Sequence, residues 1–305
     1  MSPSAALHDP IFRAYLVIVL GLLVLAGAVL LFLQLVFRMD LGSVWKTYRS
    51  WLWLAPLAAF SIFAGRFFFI LGLTAVGLLA GREFLRVSQL ATDRLMSGAV
   101  YLGIALVGVA NLFGRGLASL PALVIALFLL VPIVRNRAEG QVRKISLGII
   151  AFVICGWMWE HLGLLANSPN AYGYICFLVF ATEVTDVAAF TCGKIFGRYP
   201  LRSEISARKT WEGALGALLV ALTLPWLLRF SFPFFGPWQL VLTGLIVGIG
   251  GPVGDLALSV LKRDLRSKDW GAAIPGHGGV LDRIDSLIFV APLFIFMTTY
   301  YYPGR

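Results

Sequence analysis

Residues 238–261 read WQLVLTGLIVGIGGPVGDLALSVL, and this stretch decides the fold. It holds a single charge, Asp255, and as a helix it would rise about 36 Å at ~1.5 Å per residue, enough to cross the hydrocarbon core of a bilayer. The chain then changes character at once. Lys262-Arg263-Asp264-Leu265-Arg266-Ser267-Lys268-Asp269 is densely charged, and another apolar run begins near Ile284. An apolar span followed by a basic loop is the repeating pattern of a polytopic membrane protein.

Working outward, the pattern recurs. Of 305 residues, 59% are hydrophobic and 13% charged, whereas a soluble domain carries about 25% charged residues. One globular core cannot hide that much apolar side chain from water, so the bilayer must serve as a second solvent. The predicted spans are 14–37, 98–112, 116–134, 146–166, 171–192, 211–230, 238–261 and 284–302. The stretch 51–81 is too long for one crossing and is expected to break near Gly65-Arg66 into two short spans or a re-entrant pair. The expected fold is therefore an all-α bundle of nine or ten spans, with an N-terminal region 1–145 and a C-terminal catalytic region 146–305 in one membrane unit. The run 14–37 has no small-residue cleavage site and reads as a retained span.

Charge orients the bundle. The segments 38–50, 82–97, 135–145, 193–210 and 262–283 carry 20 of the 25 Lys and Arg residues, so all five are expected on the cytoplasmic side, which favours ten spans over nine. The net charge of +10 is accounted for by topology and lipid phosphates, and nucleic acid is not an expected partner. Cys155, Cys176 and Cys192 lie in or beside apolar runs without ligand spacing and read as small buried side chains.

Two spans carry carboxylates at membrane depth: Glu183 and Asp186 in one, Asp255 in the other. Such a group costs on the order of 3 kcal/mol to insert and marks a functional site by default. After Asp255, three features converge. Lys262, Arg263, Arg266, Lys268 and Arg283 supply positive charge for several phosphates. Pro275-Gly276-His277-Gly278-Gly279 is an open turn whose backbone N–H groups can approach an anion. Asp255, Asp282 and Asp285 are oxygen ligands suited to Mg²⁺. Together they point to phosphoryl or nucleotidyl transfer. The run Gly248 to Gly254 lacks a surrounding βαβ unit and reads as a close-packing element.

These residues resemble the signature of the phosphatidate cytidylyltransferase (CDP-diacylglycerol synthase) family. The match comprises Ser259, Lys262-Arg263, Lys268-Asp269, Gly271, His277-Gly278-Gly279 and Asp282-Arg283-Ile284-Asp285. Two further stretches agree: Asp186 through Gly193-Lys194 to Phe196-Gly197, and Ser206-Ala-Arg208-Lys209-Thr210-Trp211-Glu212-Gly213. Ala207 stands where the family usually has proline, and Glu183 where many members carry another residue. The similarity is close over 175–302 and only general before residue 150.

The resemblance implies the reaction of CTP with phosphatidate to give CDP-diacylglycerol and pyrophosphate. It implies Mg²⁺ held by Asp255 and Asp282, with Asp285 as a third ligand. Lys262, Arg263, Lys268 and Arg283 would neutralise phosphates, His277 would act in the glycine turn, and Asp186, Lys209, Gly278 and Gly279 would contact the nucleotide. It implies a homodimer in the inner (plasma) membrane of a bacterium, its site facing the cytoplasm. A CTP-dependent lipid kinase, such as a polyprenol kinase, is the nearest other chemistry. A transporter with a basic cytoplasmic gate would explain the spans and Asp255, but not the clustered loop. Because 211–230 and 238–261 form a hairpin, Lys209 is expected to come back beside Asp255.

Overall fold

The computed structural model describes residues 1–38, 41–114, 119–271 and 278–302. The chain is almost entirely helical. In order the helices are α1 (Pro3–His8), α2 (Pro10–Val36), α3 (Gly42–Phe63), α4 (Arg66–Val87), α5 (Arg94–Leu112), α6 (Leu120–Val134) and α7 (Gln141–Phe152). They are followed by α8 (His161–Leu165), α9 (Ala171–Phe196), α10 (Trp211–Leu227), α11 (Pro237–Asp264) and α12 (Leu281–Tyr301). A π-helical turn, Val153–Met158, leads from α7 towards α8. Among the described residues, α2, α4, α5, the α7–α8 rod, α9, α11 and α12 are long and apolar enough to cross a membrane, making seven, with α6 and α10 as shorter apolar helices. The protein is an all-α polytopic membrane protein.

The break expected near Gly65 is present. Gly65 has φ +93°, a left-handed conformation open to glycine, and α3 and α4 flank it. The expectation of short spans is corrected, because each of these helices has 22 residues. α3 starts at Gly42 and takes in Lys46 and Arg49, and α4 runs on to Val87 and takes in Arg82 and Arg86, so charges read as loop residues are helical. One element was not expected. Pro200–Arg202 (β1) and Ser206–Thr210 (β2) form a small antiparallel hairpin between α9 and α10.

Four of the five basic segments meet at one end of the bundle. Asp93, the N-cap of α5, binds Arg135 Nη1 at 2.6 Å and Lys144 Nζ at 2.9 Å, tying α5 to the α6–α7 connection. At the opposite end Arg66 Nη2 donates to Leu112 O at 2.9 Å and Arg66 Nη1 to Asn167 Oδ1. Within the bundle Glu160 is fully buried, accepting from Thr74 Oγ1 at 2.7 Å and Asn111 Nδ2 at 2.9 Å. The buried core draws on helices from both the N-terminal and C-terminal regions.

Glycines set the spacing of the last three helices. A Cβ on Gly244 would fall 2.7 Å from Leu222 Cα of α10, and one on Gly254 would fall 2.5 Å from Asp285 O of α12. The glycine run of α11 therefore lets two backbones approach on opposite faces, the small-residue packing common between membrane helices. Cys155 and Cys176 are buried, Cys192 is half-buried, and all three are free thiols.

Candidate active site

The close α11–α12 contact lays two polar rows face to face. On α11, Asp255, Ser259 and Lys262 recur at i, i+4 and i+7, so they share one side of the helix. On α12, Asp282 and Asp285 share a side at i and i+3. Lys262 Nζ lies 2.7 Å from Asp282 Oδ1, both side chains being about one-tenth exposed. About one to two turns further back along α11, Ser259 Oγ donates to Asp255 Oδ1 at 3.3 Å. Asp285 lies within electrostatic reach of both Asp255 and Asp186. Ser286 Oγ bridges towards α9 by donating to Asp186 Oδ2 at 3.1 Å.

Lys209 enters from β2. Its ammonium sits 2.6 Å from Asp255 Oδ2, so the α10–α11 hairpin brings the two together across 46 residues of sequence. Thr210 fixes the approach. It is the N-cap of α10, its Oγ1 accepting from Gly213 N at 3.2 Å, and it holds Lys209 just outside the helix start. The same box is braced from outside by Glu212, whose carboxylate accepts from Tyr199 N at 3.3 Å. Arg263 Nε donates to Ile205 O in the β1–β2 turn at 3.2 Å, pinning the end of α11 to this hairpin.

The turn before α12 wraps Asp282. Its Oδ2 accepts from Trp270 N at 3.1 Å and Gly279 N at 3.0 Å, while Oδ1 faces Lys262. Gly278 has φ +84°, and a Cβ there would stand 3.0 Å from Asp282 Oδ2. Arg283 and Lys268 are exposed, and Arg283 is near enough to act electrostatically on Glu183 and Asp186. His277 lies outside the described residues. Asp186, Lys209, Asp255, Lys262, Asp282, Arg283 and Asp285 thus gather at one end of the bundle from four elements, α9, β2, α11 and α12.

The donor set suits a hard cation. It consists of carboxylate and hydroxyl oxygens, with no thiol or imidazole among the described residues near it. No group of three or more His, Cys, Asp or Glu side chains among the described residues closes into a cage for an ion. Substrate oxygens would have to complete the shell, which is the ordinary habit of Mg²⁺ at phosphate sites.

The sequence reading missed Glu83. The segment 82–97 reads as a basic loop, yet Glu83 lies in the last turns of α4 at 7% exposure and accepts from Val280 N and Leu281 N, both at 2.9 Å. The signal available was a carboxylate one turn after Ala80 and directly before Phe84 and Leu85 in a largely apolar helix, which alone does not name a partner.

A profile of the cytidylyltransferase family matches residues 45–301. The uncharacterized protein YnbB of Escherichia coli (strain K12) is 28% identical over 264 residues, 85% of this chain and 88% of its own. The phosphatidate cytidylyltransferase of Staphylococcus haemolyticus (strain JCSC1435) is 35% identical over 178 residues, 58% of this chain and 67% of its own. That of Staphylococcus saprophyticus is 34% identical over 178 residues, covering the same shares.

Proposed function

Because this chain belongs to the cytidylyltransferase family, we propose that it transfers the cytidylyl group of CTP to phosphatidate, forming CDP-diacylglycerol and pyrophosphate. The observation that carries the reading is the pair of lysine–carboxylate contacts, Lys209–Asp255 and Lys262–Asp282, at one end of the bundle. They join three sequence segments, each of which bears part of the family resemblance.

The acceptor is a phosphate monoester, already anionic at neutral pH, so no side chain need remove a proton. Its oxygen bonds to the α-phosphorus of CTP, and the bond from that phosphorus to the bridging oxygen of the β-phosphate breaks, releasing pyrophosphate. Repulsion between two anions is the main obstacle, and fixed positive charge with in-line positioning lowers it. Lys209 and Lys262 would turn from their carboxylates to phosphate oxygens. Arg283, Lys268 and Arg263 add charge at the exposed rim, and Gly278 would add a backbone N–H, while that of Gly279 is engaged by Asp282.

Mg²⁺ would be held by Asp255 with Asp282 and Asp285, one or two at a time alongside phosphate oxygens, and would supply charge neutralisation there. Asp186, tied to Ser286, is positioned to order this group. The site would face the cytoplasm of a bacterial inner membrane, where CTP is available and the diacyl chains can remain in the bilayer. A homodimer accords with the resemblance.

The test is incubation of the purified protein with labelled CTP, phosphatidate and Mg²⁺, followed by lipid extraction. Labelled CDP-diacylglycerol with stoichiometric pyrophosphate is the expected result. Release of CDP with a phosphorylated lipid alcohol in place of phosphatidate would mean a kinase, and no turnover of either kind would favour a transporter.

A further inference from the structure

α12 starts without a cap of its own. Its N-cap residue, Val280, makes no side-chain capping hydrogen bond, although the first turn of a helix leaves backbone N–H groups unpaired. Glu83 fills that role from 197 residues away, its Oε1 accepting from Val280 N and its Oε2 from Leu281 N, both at 2.9 Å. A carboxylate at that place also opposes the positive end of the helix dipole.

The surroundings are shaped to it. A Cβ on Gly271 would fall 2.5 Å from Glu83 Oε1, and one on Gly279 2.5 Å from Glu83 Oε2. The next residue of α4, Phe84, stacks on Trp270 with centroids 5.1 Å apart and planes 21° from parallel. Trp270 in turn donates its backbone N–H to Asp282. Two consecutive residues of α4 therefore grip both sides of the loop that delivers Asp282, Arg283 and Asp285.

We propose that Glu83 is a positioning residue for the reaction. By capping α12 across the bundle it sets the height and rotation of that helix's first turn, and with it the registry of Asp282 and Asp285 against Lys262 and Asp255. The N-terminal half of the chain thereby takes part in catalysis without touching substrate. The kinetic side of this inference rests on the cytidylyl-transfer reading above.

Glu83→Gln keeps the size but can accept only one of the two N–H groups and turns a donor toward the other. In the full chain in detergent, this variant is expected to keep its melting temperature within a few degrees. It should exchange the Val280 and Leu281 amide protons at least about tenfold faster, and lose about tenfold or more in kcat, with the KM for CTP moving far less. Gly271→Ala, which drives a methyl group into Glu83, should lose activity similarly. Adding Glu83→Asp, one methylene shorter, should restore part of it.

Wild-type exchange and turnover in Glu83→Gln would overturn the proposal. So would a loss of kcat that follows melting temperature, with no relief of Gly271→Ala by Glu83→Asp, since that pattern belongs to a merely structural residue. Hydrogen exchange needs no substrate. If the wild-type chain makes no CDP-diacylglycerol, the functional reading fails, while unchanged exchange in Glu83→Gln rejects the capping role on its own.

Discussion

At the scale of single residues, the candidate site is a set of charges that satisfy one another. Lys209 is the clearest case, since its ammonium rests on Asp255 at 2.6 Å with a quarter of the side chain exposed. Lys209→Ala is expected to raise the KM for CTP or to lower kcat about tenfold or more, and Lys209→Arg to recover only part, because a guanidinium fork does not reproduce an ammonium point charge. Steady-state kinetics with each substrate varied in turn would check this. Wild-type constants for both would leave Lys209 a charge that only orients the chain. Asp255→Asn should abolish turnover, and combining it with Asp282→Asn should add little, as residues acting as one unit are not additive. The two single changes differ in stability. Asp282 is nearly buried and holds Lys262 and two backbone N–H groups, so its loss should also cost about 3 kcal/mol of stability by stranding a buried cation. Asp255 is one-third exposed and should cost much less, which makes it the cleaner probe of the proposed metal site.

At the scale of elements, two devices hold the helices in register. One is Asp93, which caps α5 through Met96 N at 3.2 Å and clamps Arg135 and Lys144. Burial alone would raise its carboxyl pKa, but the hydrogen bonds from Lys144, Met96 N–H and Arg135 outweigh that and hold it at about 2, below the ordinary 3.8. A folded-state value below the unfolded one means that the stabilisation is complete above about pH 4 and is lost as pH falls through about 2. Acid titration of the melting temperature should show this loss, and Asp93→Asn should remove it while lowering the melting temperature at neutral pH. The other device is the glycine run of α11. Gly254→Ala places a methyl 2.5 Å from Asp285 O, and overpacking of this kind costs about 1–3 kcal/mol. Because the displaced backbone carries Asp285, activity should fall further than stability does. An alanine variant with full turnover would show that α11 and α12 can separate freely there.

At the scale of the whole molecule, the described contacts join four of the five basic segments at one end. Asp93 reaches the α6–α7 connection, Glu83 the start of α12, Lys209 the last third of α11, and Arg263 the β1–β2 turn. That grouping leads to a topology prediction. With Cys155, Cys176 and Cys192 replaced and one cysteine placed at Ser203, a membrane-impermeant thiol reagent should fail to label intact cells and should label opened ones. Labelling from outside would put the cationic end on the wrong side for cytosolic CTP.

The sequence alone determined the bilayer as solvent, the break at Gly65, the basic segments of one sign, and the return of Lys209 to Asp255. Each follows from hydropathy, charge or the length of a two-helix hairpin, which are local properties and can be read along the chain. Tertiary structure decided what lies across the bundle: Glu83 on α12, Asp282 turned to Lys262, and Trp270 held against Phe84. The physical reason is that a carboxylate beside an arginine at the end of a span looks the same whether it meets water or another helix. Only the close approach of helix backbones, allowed by glycines whose partners are far away in sequence, chooses between them.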